Sequence, residues 1–531
     1  MARTLNRRIR IKGTLVAQCP VHVGGISRDP EIDLALAIDG QGRYYIPGTS
    51  LAGALRAWMA AVGDETTIDF LWGTLKGKKP NGNDKQPGAK GKKPNHASFV
   101  LIEDAPITNV IPEVRDGVGI DRFLGSAANL VKYDQAILPR GSKIPLEMTV
   151  ELQDNDKSDS ILELLKDTLT ALQNRELRLG ASKTRGMGRV ELQSLSISEQ
   201  RLDTAKGMLQ ALRKQGEGLD VSTLSQSNTL QPRPRLSFTI HWTPIDALMV
   251  KAETDGIVVD HLPLVSAIDA DNLAFVLPGS SIKGALRTQA ERIVRTVKQI
   301  EIPDTTDPNR RFMNQLEQNS LIMNLFGRAA RVERNGNGKS NQLGRIGALA
   351  VDDCYAQSAF DERAWNKIAS STTSEDLDKA LKEDAKLSET QQGFHVAIDR
   401  WTGGAADGLL YSTLEPMGID WEPMTIALDL KQLEKNQENA SVAIALLLLV
   451  LRDLIAGRIP LGYATNRGMG AIAIDSIHIQ GRDLPEDLSA LQDVTWHSGQ
   501  FNDLDANLRR SLTTAWTHWM NSSPKTAEVP A

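Results

Sequence analysis

The strongest constraint on the fold of this chain is an internal repeat. The stretch YYIPGTSLAGALRAWMA at residues 44–60 returns as FVLPGSSIKGALRTQAE at residues 275–291. Three further stretches recur in the same order, namely 7–18 with 233–244, 118–152 with 396–430, and 179–192 with 461–474. A chain that repeats four segments in order is built from two copies of one structural unit.

The spacing between the copies sets the predicted domain boundaries. It grows from 231 residues at Pro47 and Pro278 to 278 residues at Asp121 and Asp399, so the second copy carries 47 additional residues. We assign these to polar, turn-rich insertions. The predicted organisation is a first domain at 1–200, a linker at 201–232, and a second domain at 233–531 with insertions near 302–343 and 357–391 and a C-terminal helix at 503–520.

Each copy has the pattern of a strand, a helix, two strands, a second helix and a last strand. Residues 7–18 and 233–244 alternate apolar and polar side chains, as half-buried strands do. A helix follows each PG(T/S)S turn, with Ser50 and Ser281 as the predicted N-caps. The order predicts an α+β fold of two tandem domains, each with a βαββαβ core.

Composition excludes several classes of protein. The longest apolar run, residues 442–451, is half of what a membrane span requires and predicts a buried helix. With only Cys19 and Cys354, no disulfide framework is expected, and the chain is predicted to be cytoplasmic. The formal net charge is −5, so a nucleic-acid partner would need a locally basic surface.

The helix starts are the first candidate contacts for a phosphate. A helix N-terminus presents free N–H groups and the positive end of its dipole. The alternative is a tight strand-to-helix turn with no ligand. An arginine one turn later in both copies makes this alternative less favoured. The candidates are Gly48, Ser50 and Arg56 in the first copy, and Gly279, Ser281, Lys283 and Arg287 in the second.

The glycine-rich loops KTRGMGR and TNRGMGA are the second candidate contacts. Glycines there let a backbone approach a ligand closely, and the arginines offer cationic anchors. One such loop alone usually marks only a turn. The candidates are Lys183, Arg185, Gly186 and Gly188 in the first copy, and Arg467, Gly468 and Gly470 in the second.

Together, IPGTSLAGALR, LPGSSIKGALR, the GIDR and AIDR segments and the two glycine-rich loops resemble a known family. It comprises the RAMP-superfamily backbone subunits of type III CRISPR effector complexes, and two units in one chain resemble the double-repeat subunit of the III-D subtype. The resemblance implies RRM-like (ferredoxin-like) domains and a hetero-oligomeric ribonucleoprotein. The implied partners are a guide RNA, a complementary target RNA, and other backbone, small and large effector subunits, with no membrane.

The resemblance also implies cleavage of target RNA by one aspartate in each copy. The family's aspartate precedes the PG(S/T)S helix on a loop and maps onto Asp33 and Asp260, with Asp29, Glu31 and Asp255 as the nearest rivals. A carboxylate can hold a divalent ion or take the proton when a 2′-hydroxyl attacks its neighbouring phosphate. The expected cofactor is Mg²⁺ or another divalent ion such as Mn²⁺.

Two further segments are assigned by the same resemblance. IDRFLGSAANLVKY and IDRWTGGAADGLLY are similar to the family's thumb hairpin, which separates stacked bases, with Phe123, Leu130 and Trp401 as candidate contacts. As ordinary hairpins they would carry no function. The lysine-rich stretch at 76–93 is predicted to be a solvated loop in preference to an RNA contact.

Other readings of the sequence remain open at this stage. The chain could be a non-catalytic RNA-binding scaffold, with cleavage carried by other subunits. It could instead process the guide without metal, using His22 or His261, which lie near the candidate aspartates. The least specific reading is a duplicated α+β protein that binds no RNA.

Overall fold

A computed structural model describes most of the chain. The described residues are 5–25, 32–73, 96–153, 158–220, 231–301, 307–329, 332–334, 340–342, 344–499 and 504–522. Asp29, Glu31 and the lysine-rich stretch 76–93 lie outside them, as does the side chain of Leu130. No helix in the described part is long and apolar enough to cross a membrane.

The first copy is a mixed α/β unit. Its elements are β1 Arg7–Ala17, β2 Tyr45–Ile46, α1 Gly48–Val62, α2 Glu65–Trp72, β3 Val100–Ile102, β4 Ala105–Pro106, β5 Glu113–Ile120, β6 Ala127–Ile137, β7 Lys143–Leu152, α3 Ser158–Gln173, β8 Arg185–Gly186, β9 Val190–Arg201, α4 Ala205–Leu212 and β10 Glu217–Gly218. Its main sheet has the order β10-β9-β1-β7-β3, with all neighbours antiparallel. The strands β5 and β6 form a separate hairpin, the first thumb.

The second copy repeats this plan with additions. Its strands and helices up to the end of the first insertion are β11 Arg235–Pro244, β12 Val265–Ala267, β13 Asn272–Leu277, α5 Gly279–Lys298, α6 Pro308–Glu317, α7 Ser320–Phe326, β14 Val332–Arg334 and β15 Ser340–Gln342. The rest are β16 Leu349–Asp352, β17 Cys354–Asp361, α8 Glu362–Ser370, α9 Ser374–Lys379, β18 Gln391–Ile398, β19 Ala405–Glu415, β20 Met424–Asp429, α10 Leu430–Lys435, α11 Ala440–Ile455, β21 Ile472–Arg482, β22 Asp493–His497 and α12 Ala506–Asn521.

The second main sheet has the order β22-β21-β11-β20-β16-β8. The run β21-β11-β20-β16 corresponds to β9-β1-β7-β3 of the first copy. A bulge interrupts the pairing of β1 with β9 in the first sheet and of β11 with β21 in the second. The hairpin β18–β19 is the second thumb. The two copies therefore place matched strands in the same spatial order.

Helices cover one face of each sheet and close two separate cores. In α1 the apolar residues Leu51, Leu55, Trp58 and Met59 fall on one face and are buried, as the spacing predicts. The helix α11 is buried almost throughout, because its run of leucines lies at the centre of the second core. Burial of such a side chain contributes about 1.5–3 kcal/mol.

The N-caps differ from the sequence prediction. Both helices begin one residue after a proline, at Gly48 and Gly279, with Pro47 and Pro278 as the N-caps. Proline at this position fixes φ near −58°, which suits the helix entrance. Ser50 therefore lies inside the first turn, and so does Ser281.

The predicted linker and insertions contain regular structure. In the stretch assigned to a linker, α4 contacts β9 and β10 pairs with β9, so this part belongs to the first copy. The predicted loop at 357–391 contains α8, α9 and a π-helical turn at Ala380–Asp384. Ile368, Leu377 and Leu381 from these elements are buried in the second core. The polar residues of this insertion lie on the solvent face of short helices, and its few apolar residues pack these helices against the sheet.

The two copies are joined edge to edge. The short strand β8 belongs to the glycine-rich loop of the first copy, yet it pairs in parallel with β16 of the second. Lys283 donates hydrogen bonds to the carbonyls of Thr184 in the first copy and Leu349 in the second. One loop thereby extends the neighbouring copy's sheet.

Candidate functional site

The two candidate aspartates occupy equivalent places. Asp33 Oδ2 accepts a hydrogen bond from the backbone N–H of Asp134, at 3.1 Å. Asp260 Oδ2 accepts one from the backbone N–H of Ser412, at 2.7 Å. Asp134 and Ser412 are matched positions of the repeat, on β6 and β19. Both carboxylates are exposed, so each copy presents one acid at the side of its thumb.

The hydroxyl of Ser412 strengthens the contact in the second copy. It donates to Asp260 Oδ2 at 3.0 Å. The backbone N–H of Ser412 is the main cause that holds the pKa of Asp260 below its usual range. A hydrogen bond to the charged form favours ionisation, so Asp260 carries its negative charge at neutral pH.

On the strand that anchors each aspartate, a tyrosine accepts a hydrogen bond from an arginine. In the first copy Arg185 Nη1 donates to the hydroxyl of Tyr133, the residue before Asp134, at 2.9 Å. In the second copy Arg467 donates to the hydroxyl of Tyr411, the residue before Ser412. Both arginines are exposed. A guanidinium beside an aromatic ring can hold a phosphate and stack a base.

Only one of the four loop glycines is open to a ligand. All four have positive φ, between +83° and +93°. A Cβ at Gly188 would lie 2.2 Å from the Leu179 carbonyl oxygen, and one at Gly470 would lie 2.1 Å from that of Leu461. These two glycines are required by the loop itself. A Cβ at Gly186 would meet the second copy, whereas one at Gly468 would meet nothing within 4 Å.

The helix starts do not present free amides at their first residue. The N–H of Gly48 donates to Asp104 Oδ1 at 2.7 Å, and that of Gly279 donates to Asp353 Oδ1 at 2.8 Å. A carboxylate therefore already occupies the place in which a phosphate was predicted. Because the two anions would repel each other, the prediction for Gly48 and Gly279 is corrected.

The charged residues of these helices also serve the fold. Arg56 donates to the carbonyl of Gly73 at 2.8 Å, and Arg287 donates to that of Gly327 at 3.0 Å. Lys283 is only 5% exposed, and burial lowers the pKa of its ammonium well below the usual value. The predicted RNA contact at Lys283 is therefore corrected to a structural role, whereas Arg56 and Arg287, which are half-buried, remain predicted RNA contacts. Ser50, Ser281 and Lys183 are half-buried.

A group of three carboxylates includes Asp134, the residue whose backbone N–H anchors Asp33. Ligand oxygens of Asp116, Asp134 and Glu253 lie within 4.8 Å of one another, and Glu253 comes from the second copy. Burial, followed by a hydrogen bond shared with the Asp134 carboxyl group, raises the pKa of Asp116 to about 6. The ammonium of Lys132 contacts Asp116 at 3.3 Å and Glu253 at 2.5 Å. A lysine therefore already supplies positive charge to this group.

The second copy has rings where the first has acids. Phe394 stands in place of Asp116, and the His395 ring stacks on Tyr411 with centroids 5.1 Å apart. His261, beside Asp260, accepts from or donates to the hydroxyl of Tyr463 through Nδ1 at 3.1 Å. Burial lowers the pKa of His261. The described residues include no such carboxylate group at Asp260, where the neighbouring His261 contacts the rings of Tyr411 and Tyr463.

The thumbs differ in exposure at their tips. Trp401 is 95% exposed, and Phe123 is 57% exposed. The guanidinium of Arg311, on α6 of the second copy, lies 5.3 Å from the centroid of the Phe123 ring. The first thumb therefore rests partly on the second copy, and the second thumb extends into solvent.

His22 is a structural residue. It is 4% exposed, and its Nδ1 lies 2.7 Å from the carbonyl oxygen of Ala136. Burial lowers its pKa. The position does not suit a group that must reach RNA, so only His261 of the two histidines has access to the site.

Tyr133 and Tyr411 were not among the residues selected from the sequence. Their signal was present, because both are tyrosine at matched positions of the repeat. Glu253 gave no such signal, since it joins the site only through the packing of the two copies.

Asp33 and Asp260 suit a weakly held divalent ion. Each carboxylate is exposed and anchored through Oδ2 by a backbone N–H. One carboxylate from the protein suits Mg²⁺, which keeps several of its waters and binds phosphate as well.

Comparison with known proteins gives one family. A family model described as RAMP superfamily matches residues 14–191 and 260–473. These two regions fall in the first and second copies and together make up more than half of the chain. A comparison with curated proteins gives no match.

Proposed function

The chain belongs to the RAMP superfamily, and on that premise we propose that it is a guide-RNA-binding backbone subunit of a type III, III-D-like CRISPR ribonucleoprotein. Membership in this family points to a CRISPR-associated RNA-binding subunit. We further propose that each copy is an RRM-like unit, and the shared strand order of the two main sheets supports this.

We propose that the two copies cleave complementary target RNA at two positions, one at Asp33 and one at Asp260. The observation that carries this proposal is the matched geometry of the two sites. In both copies an exposed carboxylate is anchored on the second thumb strand, and the residue before its anchor is a tyrosine that bonds to an exposed arginine.

The reaction is a transfer within the RNA strand. The 2′-oxygen of a ribose forms a bond to the adjacent phosphorus, and the bond from phosphorus to the 5′-oxygen of the next nucleotide breaks. The products are a 2′,3′-cyclic phosphate and a 5′-hydroxyl. The 2′-hydroxyl proton passes to a base, and the departing 5′-oxygen takes a proton from water. Asp260 is ionised at neutral pH and can accept the 2′-hydroxyl proton.

A divalent ion such as Mg²⁺ or Mn²⁺, when bound, would reduce the negative charge on the scissile phosphate. Asp33 and Asp260 are the residues that would hold it. Arg185 and Arg467 would position the phosphate backbone, and base pairing with the guide would select the target.

The test uses the assembled complex with a guide and a labelled complementary RNA. Asp33→Ala is expected to remove one product, and Asp260→Ala is expected to remove another, while guide and target binding persist. Asp39→Asn and Asp271→Asn are the controls, because both are acids on the same connecting segments and neither is a candidate for cleavage. An unchanged product ladder in both alanine variants would favour the non-catalytic scaffold. Cleavage of the guide precursor in EDTA would instead favour processing through His261.

A further inference from the structure

Among the described residues, five ion pairs at the junction between the two copies join arginines of the first copy to carboxylates of the second. Each pair joins residues more than 160 positions apart in the chain. The pairs are Arg115 with Asp353, Arg178 and Arg189 with Asp352, Arg122 with Glu291, and Arg140 with Glu422. Asp352 is 3% exposed, Asp353 9% and Glu291 5%. These carboxylates therefore depend on the arginines for compensation of their charge.

The first copy carries the same acidic edge, and within the described residues no strand covers it. Glu103 and Asp104 correspond to Asp352 and Asp353, because Asp104 accepts the Gly48 amide as Asp353 accepts that of Gly279. Both Glu103 and Asp104 are exposed. Beside them β3 is the last strand of its sheet, whereas the matching β16 is covered by β8.

The second copy carries the opposite surface without its charges. Its glycine-rich loop is exposed, and Gly468 is open where Gly186 contacts Asp353. The repeat places Gly393, Pro460 and Ala471 where the first copy has Arg115, Arg178 and Arg189. Each of these three positions has lost its positive charge.

If two chains stacked in the same way, the second copy of one chain would face the first copy of the other. The remaining two ion pairs could not form in that arrangement either. Arg140 is replaced by Gly418, and Glu422 by Ile144. Arg122 keeps its charge as Arg400, but the place of its partner Glu291 is taken by Ala60. None of these five ion pairs can form between two copies of this chain.

We propose that the exposed edge formed by β3, Glu103 and Asp104, here called the acidic edge, binds a different protein subunit and not a second copy of this chain. The partner is expected to supply a short strand with a glycine of positive φ, as β8 does, and arginines in the places of Arg115, Arg178 and Arg189. A polyanion is disfavoured there, because the edge is acidic. The proposal rests on the proposed function only in taking the chain to be a subunit of an assembly.

The purified full-length chain tests the first half of this proposal. Light scattering is expected to give the mass of one chain, 58.0 kDa, at all concentrations. Pro460→Arg with Ala471→Arg restores two of the lost charges and is expected to cause self-association, which Glu103→Lys with Asp104→Lys in the same chain should reverse. Pro460→Glu with Ala471→Glu is the control and should stay monomeric.

Two results would overturn it. One is self-association of the wild-type chain that Glu103→Lys with Asp104→Lys abolishes. The other is an arginine variant that folds, as shown by circular dichroism, but remains a monomer, because charge would then not be what prevents stacking.

The assembled complex tests the second half. Glu103→Lys with Asp104→Lys is expected to release one neighbouring protein, seen as a loss of one mass by native mass spectrometry. Glu486→Lys with Asp487→Lys is the matched control, because these neighbouring acids are also exposed. A complex that keeps every protein in the first variant overturns the proposal. RNA content is measured in parallel, so a wild-type complex without RNA refutes the proposed function and leaves the interface result valid.

Discussion

The buried pair of Arg115 and Asp353 gives the sharpest test of how the two copies are joined. Arg115 lies on the first thumb, is 5% exposed, and donates to Asp353 and to Ser266 Oγ, the latter at 2.8 Å. Asp353 also receives the Gly279 amide. Arg115→Ala therefore removes a charge from the second copy's helix start without changing that copy's own sequence.

The expected cost is large because the remaining carboxylate stays buried. Removal of one partner from a buried ion pair costs about 3–5 kcal/mol in the free energy of unfolding. Asp353 can escape part of this cost by taking a proton, and burial raises its pKa. The unfolded chain has the ordinary, lower pKa, so the variant should regain stability relative to the wild type as pH falls below the raised value.

Urea unfolding at neutral and acidic pH measures this effect. Arg175→Ala is the control, because Arg175 forms an exposed ion pair with Glu191 and its side chain is 53% exposed; the expected cost is about 0–1 kcal/mol. Arg115→Ala with Asp353→Asn should recover part of the loss. If Arg115→Ala costs no more than Arg175→Ala, the pair does not hold the copies together.

Three further predictions concern charge at the site and at the junction. Asp116→Asn should stabilise the chain at neutral pH by less than about 1 kcal/mol after solvent screening. It should have no effect at pH values well below about 6, the pKa of Asp116, because a raised carboxyl pKa costs stability only when the group ionises. Thermal melts across pH check this. Lys283→Met should remove a rise in stability toward alkaline pH, because the pKa of Lys283 is lowered in the folded chain while the unfolded chain still binds the proton; urea midpoints of both proteins show it, and parallel pH profiles would refute it. Arg185→Ala should weaken RNA binding across sequences and reduce the slope of log affinity against log salt by about 1, whereas an unchanged slope in filter binding would show that Arg185 touches no phosphate.

Much of the fold was predictable because the repeated features depend on residues that are close together in the sequence. The apolar face of α1 and the turn at Pro47 depend on residues within a few positions of each other. The correspondence between Asp33 and Asp260 also came from the sequence, through the resemblance. In the structure, each of the two carboxylates accepts a backbone hydrogen bond from a matched position of the repeat. The N-caps were wrong by a few residues, since proline itself serves as the cap.

The sequence alone determined that there are two units, their order, and the residues that correspond between them. Only the tertiary structure decided which of those residues face solvent, because the two copies have different neighbours. Gly186 and Lys283 are matched in sequence by Gly468 and Ala52, but packing between the copies buries only the first pair. Such burial depends on contacts between residues nearly a hundred positions apart, and no local pattern records it.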